Sequence, residues 1–227
     1  MKKLFTLMVA AIVLLQSEAS LQASIVGSLS SHVANGISSG GEWGLNEDGF
    51  QIKWTISQND DQSWHYKYDF FKANGDPLRK LISHFDFSLS DNIIADDLYN
   101  FGSDIGEITF GTFGPGPSSP AFPTGESIYG VKLDLINNQT VAEFDSTRQP
   151  MWGDFYTKGG ISYGNWNYAY NTDIGVEVAN LHDYMGTPID TYGNKLFKIL
   201  VPNTIPEPTT ICMLGIGALS FIRKKKA

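Results

Sequence analysis

Apolar residues in the middle of this chain recur at every second position, and that period limits the fold more than any other feature. Phe50, Ile52, Trp54 and Ile56 alternate with Gln51, Lys53, Thr55 and Ser57, as in a strand with one face buried and one face wet. Trp64 to Phe70 repeats the pattern after the polar stretch Gln58 to Ser63, so the two runs form a hairpin. Asn74-Gly75-Asp76-Pro77 is a turn, because Asn and Gly tolerate positive φ and Pro fixes its own. A third strand is expected over Leu81 to Leu89. Others are expected over Glu107 to Phe113, Ser127 to Leu135, Thr140 to Phe144, Trp152 to Thr157, Gly175 to Ala179 and Lys195 to Val201. Gly114-Pro115-Gly116-Pro117 and Gly159-Gly160 interrupt the chain between them, where neither helix nor central strand continues. Helical spacing is scarce, and one short helix is expected within Asp91 to Asn100. About nine short strands with turn chemistry between them predict an all-β fold, an antiparallel β-sandwich of the jelly-roll kind.

The two ends obey different rules. Lys2 and Lys3 precede an uncharged run from Leu4 to Leu15, and small residues follow at Ser17, Ala19, Ser20 and Ala23. Residues 1–23 therefore read as a secretory signal helix cleaved after Ala19 or Ala23. At the other end Pro206-Glu207-Pro208 leads into a run from Ile211 to Ile222 that is apolar all round, and Arg223-Lys224-Lys225-Lys226 close it. Such a helix rises roughly 18 Å against a hydrocarbon core of about 30 Å. It spans poorly, which suits a signal that is read and removed better than a permanent anchor. The terminal cations hold the tail on the cytoplasmic side, with everything before it outside.

This order of Pro-Glu-Pro motif, apolar helix and basic tail resembles the PEP-CTERM sorting signal, with Pro206, Glu207 and Pro208 in the motif positions. The resemblance implies hand-over to an exosortase, processing near those residues, and delivery to the cell surface or an exopolysaccharide matrix. Until processing, the C-terminal helix would hold the protein in the inner membrane. The competing reading of the same segment is a plain tail anchor or an apolar terminal helix docked on the fold. Both ends export the middle, which divides the chain into signal peptide 1–23, ectodomain 24–201, linker 202–205 and sorting signal 206–227.

Six of the 16 cations and two of the 24 acids lie in these ends, leaving 10 Lys/Arg against 22 Asp/Glu and a net charge near −12. So acidic a domain repels phosphates, and nucleic acid is not an expected partner. The one cysteine, Cys212, lies in the tail, so the ectodomain holds no disulfide and depends on packing.

The chain carries no His-Glu-x-x-His, Gly-x-Ser-x-Gly or Walker-type loop, and His32, His65, His84 and His182 are not spaced as a zinc pair. Ser83-His84-Phe85-Asp86 is no triad on a strand, because alternation sends His84 and Asp86 to one face and Ser83 to the other. Arg148 to Gly160 is the most distinctive stretch, with Trp152, Asp154 and Tyr156 expected on one strand face and Phe155 on the other. Exposed, these rings would stack on a sugar while the carboxylate accepts its hydroxyls; turned inward, they are core around a satisfied acceptor. Trp166 and Tyr168, with Tyr163, Tyr170 and the amides Asn165, Asn167 and Asn171, form a second aromatic cluster suited to neutral glycans. Asn46-Glu47-Asp48 and Asn59-Asp60-Asp61 offer oxygen ligands for calcium, with solvated turns as the competing reading; no other cofactor is expected. These features point to an exported, non-catalytic surface or matrix protein associated with exopolysaccharide. A carbohydrate-binding module is the first alternative, and a glycoside-active enzyme using paired carboxylates the second.

Overall fold

The computed structural model describes residues 24–32, 36–44, 48–90, 92–117, 119–136, 140–162 and 164–202. Among these residues the strands are β1 (Ile25–Ser30), β2 (Ile37–Gly40), β3 (Gln51–Gln58), β4 (Trp64–Phe71), β5 (Ile82–Ser88), β6 (Leu98–Tyr99) and β7 (Ile105–Phe113). They continue as β8 (Ile128–Leu135), β9 (Val141–Ser146), β10 (Pro150–Gly153), β11 (Phe155–Ser162), β12 (Asn165–Asn171) and β13 (Ile199–Pro202). Five strands make one sheet in the order β1-β3-β4-β9-β6, and six make a second in the order β2-β12-β11-β5-β8-β7. β10 and β13 pair with each other alone, and every pairing is antiparallel. The all-β expectation is met. The signal helix and the C-terminal apolar helix fall outside the described residues.

The expected hairpin is β3–β4, with Ile52 opposite Phe70, Trp54 opposite Tyr68 and Ile56 opposite Tyr66. Alternation sends all six side chains inward, where they are buried. The six-stranded sheet answers with Phe85, Phe87, Val131, Leu133 and Phe155, all fully buried in the same core. The rings interlock across the layers: Tyr68 lies 5.0 Å from Phe85 between centroids, and Phe87 stacks on Phe144 at 5.5 Å. Two antiparallel sheets thus pack face to face around an aromatic centre.

Three expectations are corrected. Of the expected helix within Asp91 to Asn100, the described residues 92–100 yield only a three-residue 3-10 turn, Ala95–Asp97, before β6. The turn holds because Asp97 accepts from the Ile94 N–H at 2.9 Å and pairs with the guanidinium of Arg148. Gly175 to Ala179 is irregular rather than a strand, because a turn ends at Gly175, which sits at φ +80°. Trp152 to Thr157 is two strands rather than one, since the chain leaves β10 at Gly153 and joins the six-stranded sheet at Phe155.

Gly130 on β8 shows how closely the central strands approach. A Cβ there would overlap the carbonyl oxygen of Phe87 on β5, and backbone does not yield as a flexible side chain does. Gly130→Ala should cost at least the ~1–3 kcal/mol of an overpacked core. Gly160→Ala, where a Cβ meets nothing within 4 Å, should stay within about 0.5 kcal/mol of wild type. Urea midpoints of the two variants measure the difference.

Candidate functional site

The outer face of the six-stranded sheet collects most of the chemistry the chain offers. Cross-strand partners share a face, so the register puts Tyr170, Tyr156, Asp86 and Lys132 in one row across β12, β11, β5 and β8. A second row holds Tyr168, Lys158, His84 and Asp134. Part of this face is covered. Phe122 from the β7–β8 connection and Ile174 from beyond β12 pack on Ile128 and Tyr156 in a small second core, with Tyr168 and Tyr170 against it.

The strand break at Asp154 decides the fate of the first candidate set. Trp152 stays on β10, 8% exposed, edge-on to Trp54 at 6.4 Å, its indole N–H donating to the Asp183 carbonyl at 2.9 Å. Tyr156 is fully buried on β11, and its hydroxyl donates to the Pro120 carbonyl at 2.8 Å. Between them Asp154 accepts from Lys198 Nζ at 2.6 Å, from Asn171 Nδ2 at 2.6 Å and from the Gly175 N–H at 3.2 Å. Both rings are packing and the carboxylate ties three segments together, which is the inward arrangement. Sequence reasoning missed Lys198, whose side chain is 1% exposed; a buried lysine so close to a carboxylate is the partner Asp154 requires.

The second set divides along strand alternation. Trp166 remains 37% exposed, with Lys158 Nζ 4.4 Å above the centre of its ring. Tyr168 is half-buried and stacks on Tyr170 at 6.2 Å. The amides Asn167 and Asn171 turn the other way and are buried. Asn167 Oδ1 accepts from the Glu42 N–H at 2.7 Å, and Asn171 Oδ1 from the Phe155 N–H at 2.8 Å. Asn165 is exposed, and Tyr163 lies outside the described residues.

His84 and Asp86 face the second layer, sealed at 6% and 0% exposure, with His84 Nε2 3.9 Å from Asp86 Oδ2. Neither Asp86 oxygen nor His84 Nε2 has a hydrogen-bond partner. Burial pushes the Asp86 carboxyl up to about 8, with Asp134 adding to it and Lys132 and Lys158 opposing. Burial also pushes the His84 imidazole down to about 4, helped by Lys158 and Lys132. Both groups are therefore neutral near pH 7.

Two grooves open elsewhere. One of about 510 Å³ runs along β1 beside Trp54, Tyr184 and Lys195. The other, about 600 Å³, is bordered by Trp152, Asp154, Glu177, His182 and Lys198. Asp86, whose carboxyl burial pushes up, borders neither groove. Among the described residues no group of three or more His, Cys, Asp or Glu side chains is placed to hold a metal ion. Asp61 instead closes the β3–β4 turn by accepting from the Ser63 N–H at 3.0 Å, and Asp48 pairs with Lys72 at 3.1 Å. Asn46 and Glu47 lie outside the described residues.

The PEP-CTERM protein-sorting motif matches residues 204–226. The motif implies a protein that an exosortase processes and that is exported toward the cell surface. The chain carries that sorting signal over Pro206, Glu207 and Pro208, beginning two residues after β13 ends at Pro202. No curated protein and no solved structure matches the chain. Among the described residues no helix is long and apolar enough to cross a membrane.

The sealed pair fixes a pH profile. Asp86 holds its proton more tightly folded than unfolded, so its contribution to stability is complete below about 3.8 and is lost as pH rises to about 8. His84 favours the neutral ring when folded, so its contribution is present above 6.5 and is lost as pH falls to about 4. The two oppose each other between about 4 and 6.5, and only Asp86 acts from 6.5 to about 8. Stability should fall there by about 1.4 kcal/mol per pH unit, and Asp86→Asn should flatten that limb. Urea unfolding across the interval checks both.

Proposed function

We infer that this is a non-catalytic component of the bacterial surface or extracellular matrix, associated with exopolysaccharide and put in place by an exosortase. The observation that carries the reading is the sorting motif itself, which follows the folded body almost without a spacer. Two packed sheets of the jelly-roll kind serve as a rigid body that the signal delivers. The C-terminal apolar segment holds it transiently in the inner membrane, and it then joins the matrix of a biofilm. The non-catalytic reading draws support from the sealed position of Asp86, away from both grooves. A glycosidase needs an acid of raised pKa facing a second carboxylate across a cleft.

One observation favours a carbohydrate-binding module as the second reading. Trp166 keeps part of its ring exposed, with the Lys158 ammonium over it and the stacked Tyr168–Tyr170 pair beside it on the same strand. An indole supplies an apolar face for a sugar ring, and the ammonium supplies donors to its hydroxyls or to a uronate. Sedimentation of residues 24–202 with the producing organism's exopolysaccharide, with calcium and then with chelator, tests both readings. Saturable binding weakened about tenfold by Trp166→Ala, ~1.4 kcal/mol, is the module's expected result. Loss on chelation would add calcium as a cofactor. Matrix binding that ignores Trp166→Ala supports placement without that site, and no binding at all removes exopolysaccharide from the account.

A further inference from the structure

We propose that β7 is a self-association edge: two copies of this protein pair antiparallel along Ile108 to Thr112, about a two-fold axis at Phe110. β7 is nine residues long and borders the six-stranded sheet, with β8 as its partner. The other sheet edges are shorter, at four residues for β2, six for β1 and two for β6. Among the described residues no segment pairs with the outer side of β7. Natural edges of this length are guarded by charge, proline or a bulge, because their free N–H and C=O groups template another strand. Here the guards stand at the ends. Glu107 and the bulge between Ile105 and Ile108 precede the regular ladder, and Gly114-Pro115 follow it. The stretch Ile108-Thr109-Phe110-Gly111-Thr112 between them carries neither charge nor proline.

The occupant follows from charge and register. The ectodomain is strongly acidic, with 22 Asp/Glu against 10 Lys/Arg, so like copies repel except where they meet through an uncharged segment. Ile108 pairs with Leu133, Phe110 with Val131 and Thr112 with Tyr129, which puts these three β7 side chains on one face; Thr109 and Gly111 take the other. Antiparallel pairing about Phe110 keeps each face matched. Phe110 meets Phe110 of the second copy, Thr109 meets Gly111, and Ile108 meets Thr112, with no like-charge pair. Phe110 is 37% exposed and Tyr129, on the same face, 44%, so both rings gain cover. A Cβ at Gly111 would meet nothing within 4 Å, which leaves room for the opposing strand. The pairing joins two six-stranded sheets into one continuous sheet.

Five residues a side bury less than about 1,000 Å², too little for a stable dimer in dilute solution. The contact acts where sorting concentrates copies on one surface and raises their effective concentration. Salt should strengthen it by screening the acidic bodies. The proposal rests on export toward the surface for its setting but not for its geometry, so the purified ectodomain tests it directly. Residues 24–202 contain every described strand and the whole core, and they carry no thiol.

Phe110→Cys and, as a control, Val26→Cys at a 69% exposed site on β1 are each oxidised at matched concentration. Paired residues on a two-fold lie about 4.5–5.5 Å apart between Cα atoms, within reach of a disulfide. Phe110→Cys should cross-link at least roughly tenfold faster than the control. In sedimentation velocity at about 1 mM, the weak end of specific affinities, wild type should self-associate, and more so with added salt. Phe110→Lys should be monomeric with an unchanged melting temperature. Equal cross-linking rates, a wild type that stays monomeric at every salt concentration, or a Phe110→Lys protein that still self-associates would each overturn the proposal.

Discussion

The ring lattice between the two sheets is the contact on which the rest of this structure depends. With the one cysteine outside the ectodomain, nothing covalent joins the layers. Tyr68 and Phe144 from one sheet interlock with Phe85 and Phe87 from the other at centroid distances of 5.0 to 5.9 Å, and Tyr66 stacks on Phe144 within its own sheet at 5.5 Å. The tyrosines also tie down the chain around them. Tyr68 donates its hydroxyl to the Leu200 carbonyl and Tyr66 to the Arg148 carbonyl, both at 2.8 Å. Ring burial thus locks the chain ahead of β10 and within β13, outside both main sheets. Each such ring brings a large apolar area and a single polar atom with its partner supplied.

A second constraint operates where the chain changes sheets. Asp154 lies between β10 and β11 and accepts from β12, from the segment preceding β13 and from the Gly175 turn. Arg148, 4% exposed, does the same work before β10, donating to Asn92 and to Asp97. Burial pushes the Asp97 carboxyl up, but the Arg148 and Ile94 hydrogen bonds and the Arg148 charge outweigh it and hold the group below the usual carboxylate range. These two networks hold irregular chain in place with charge-assisted hydrogen bonds where no ladder is available. The outer sheet face is the contrast: the Asp86 oxygens and His84 Nε2 are sealed there without hydrogen-bond partners, and neutrality replaces pairing.

Alternation made much of this fold legible. β3, β4, β5, β8 and β9 were readable because each has one face in the core, and period two is then forced on the side chains. The switch at Asp154 was not, since Trp152, Asp154 and Tyr156 keep that period while the chain passes from one sheet to another. Phe155 and Tyr156 are both fully buried, because Phe122 and Ile174, remote in sequence, cover the outer face. Local pattern cannot register such a cover. β1 was missed for a related reason: Gly27 breaks its apolar run, and the Trp54 ring fills the space where a Cβ would lie. The sorting signal was fully legible, because a short linear motif read by another protein owes nothing to tertiary packing.

Intact mass spectrometry of the protein recovered from the cell surface tests most directly the claim that a packed ectodomain is exported between two removable signals. The mass should match a chain that begins at Ser20 or Ser24 and has lost the Arg223 to Lys226 tail, with its C-terminus near Pro206-Glu207-Pro208. A surface species that still carries Arg223 to Lys226 would contradict exosortase processing and leave a permanent tail anchor in its place.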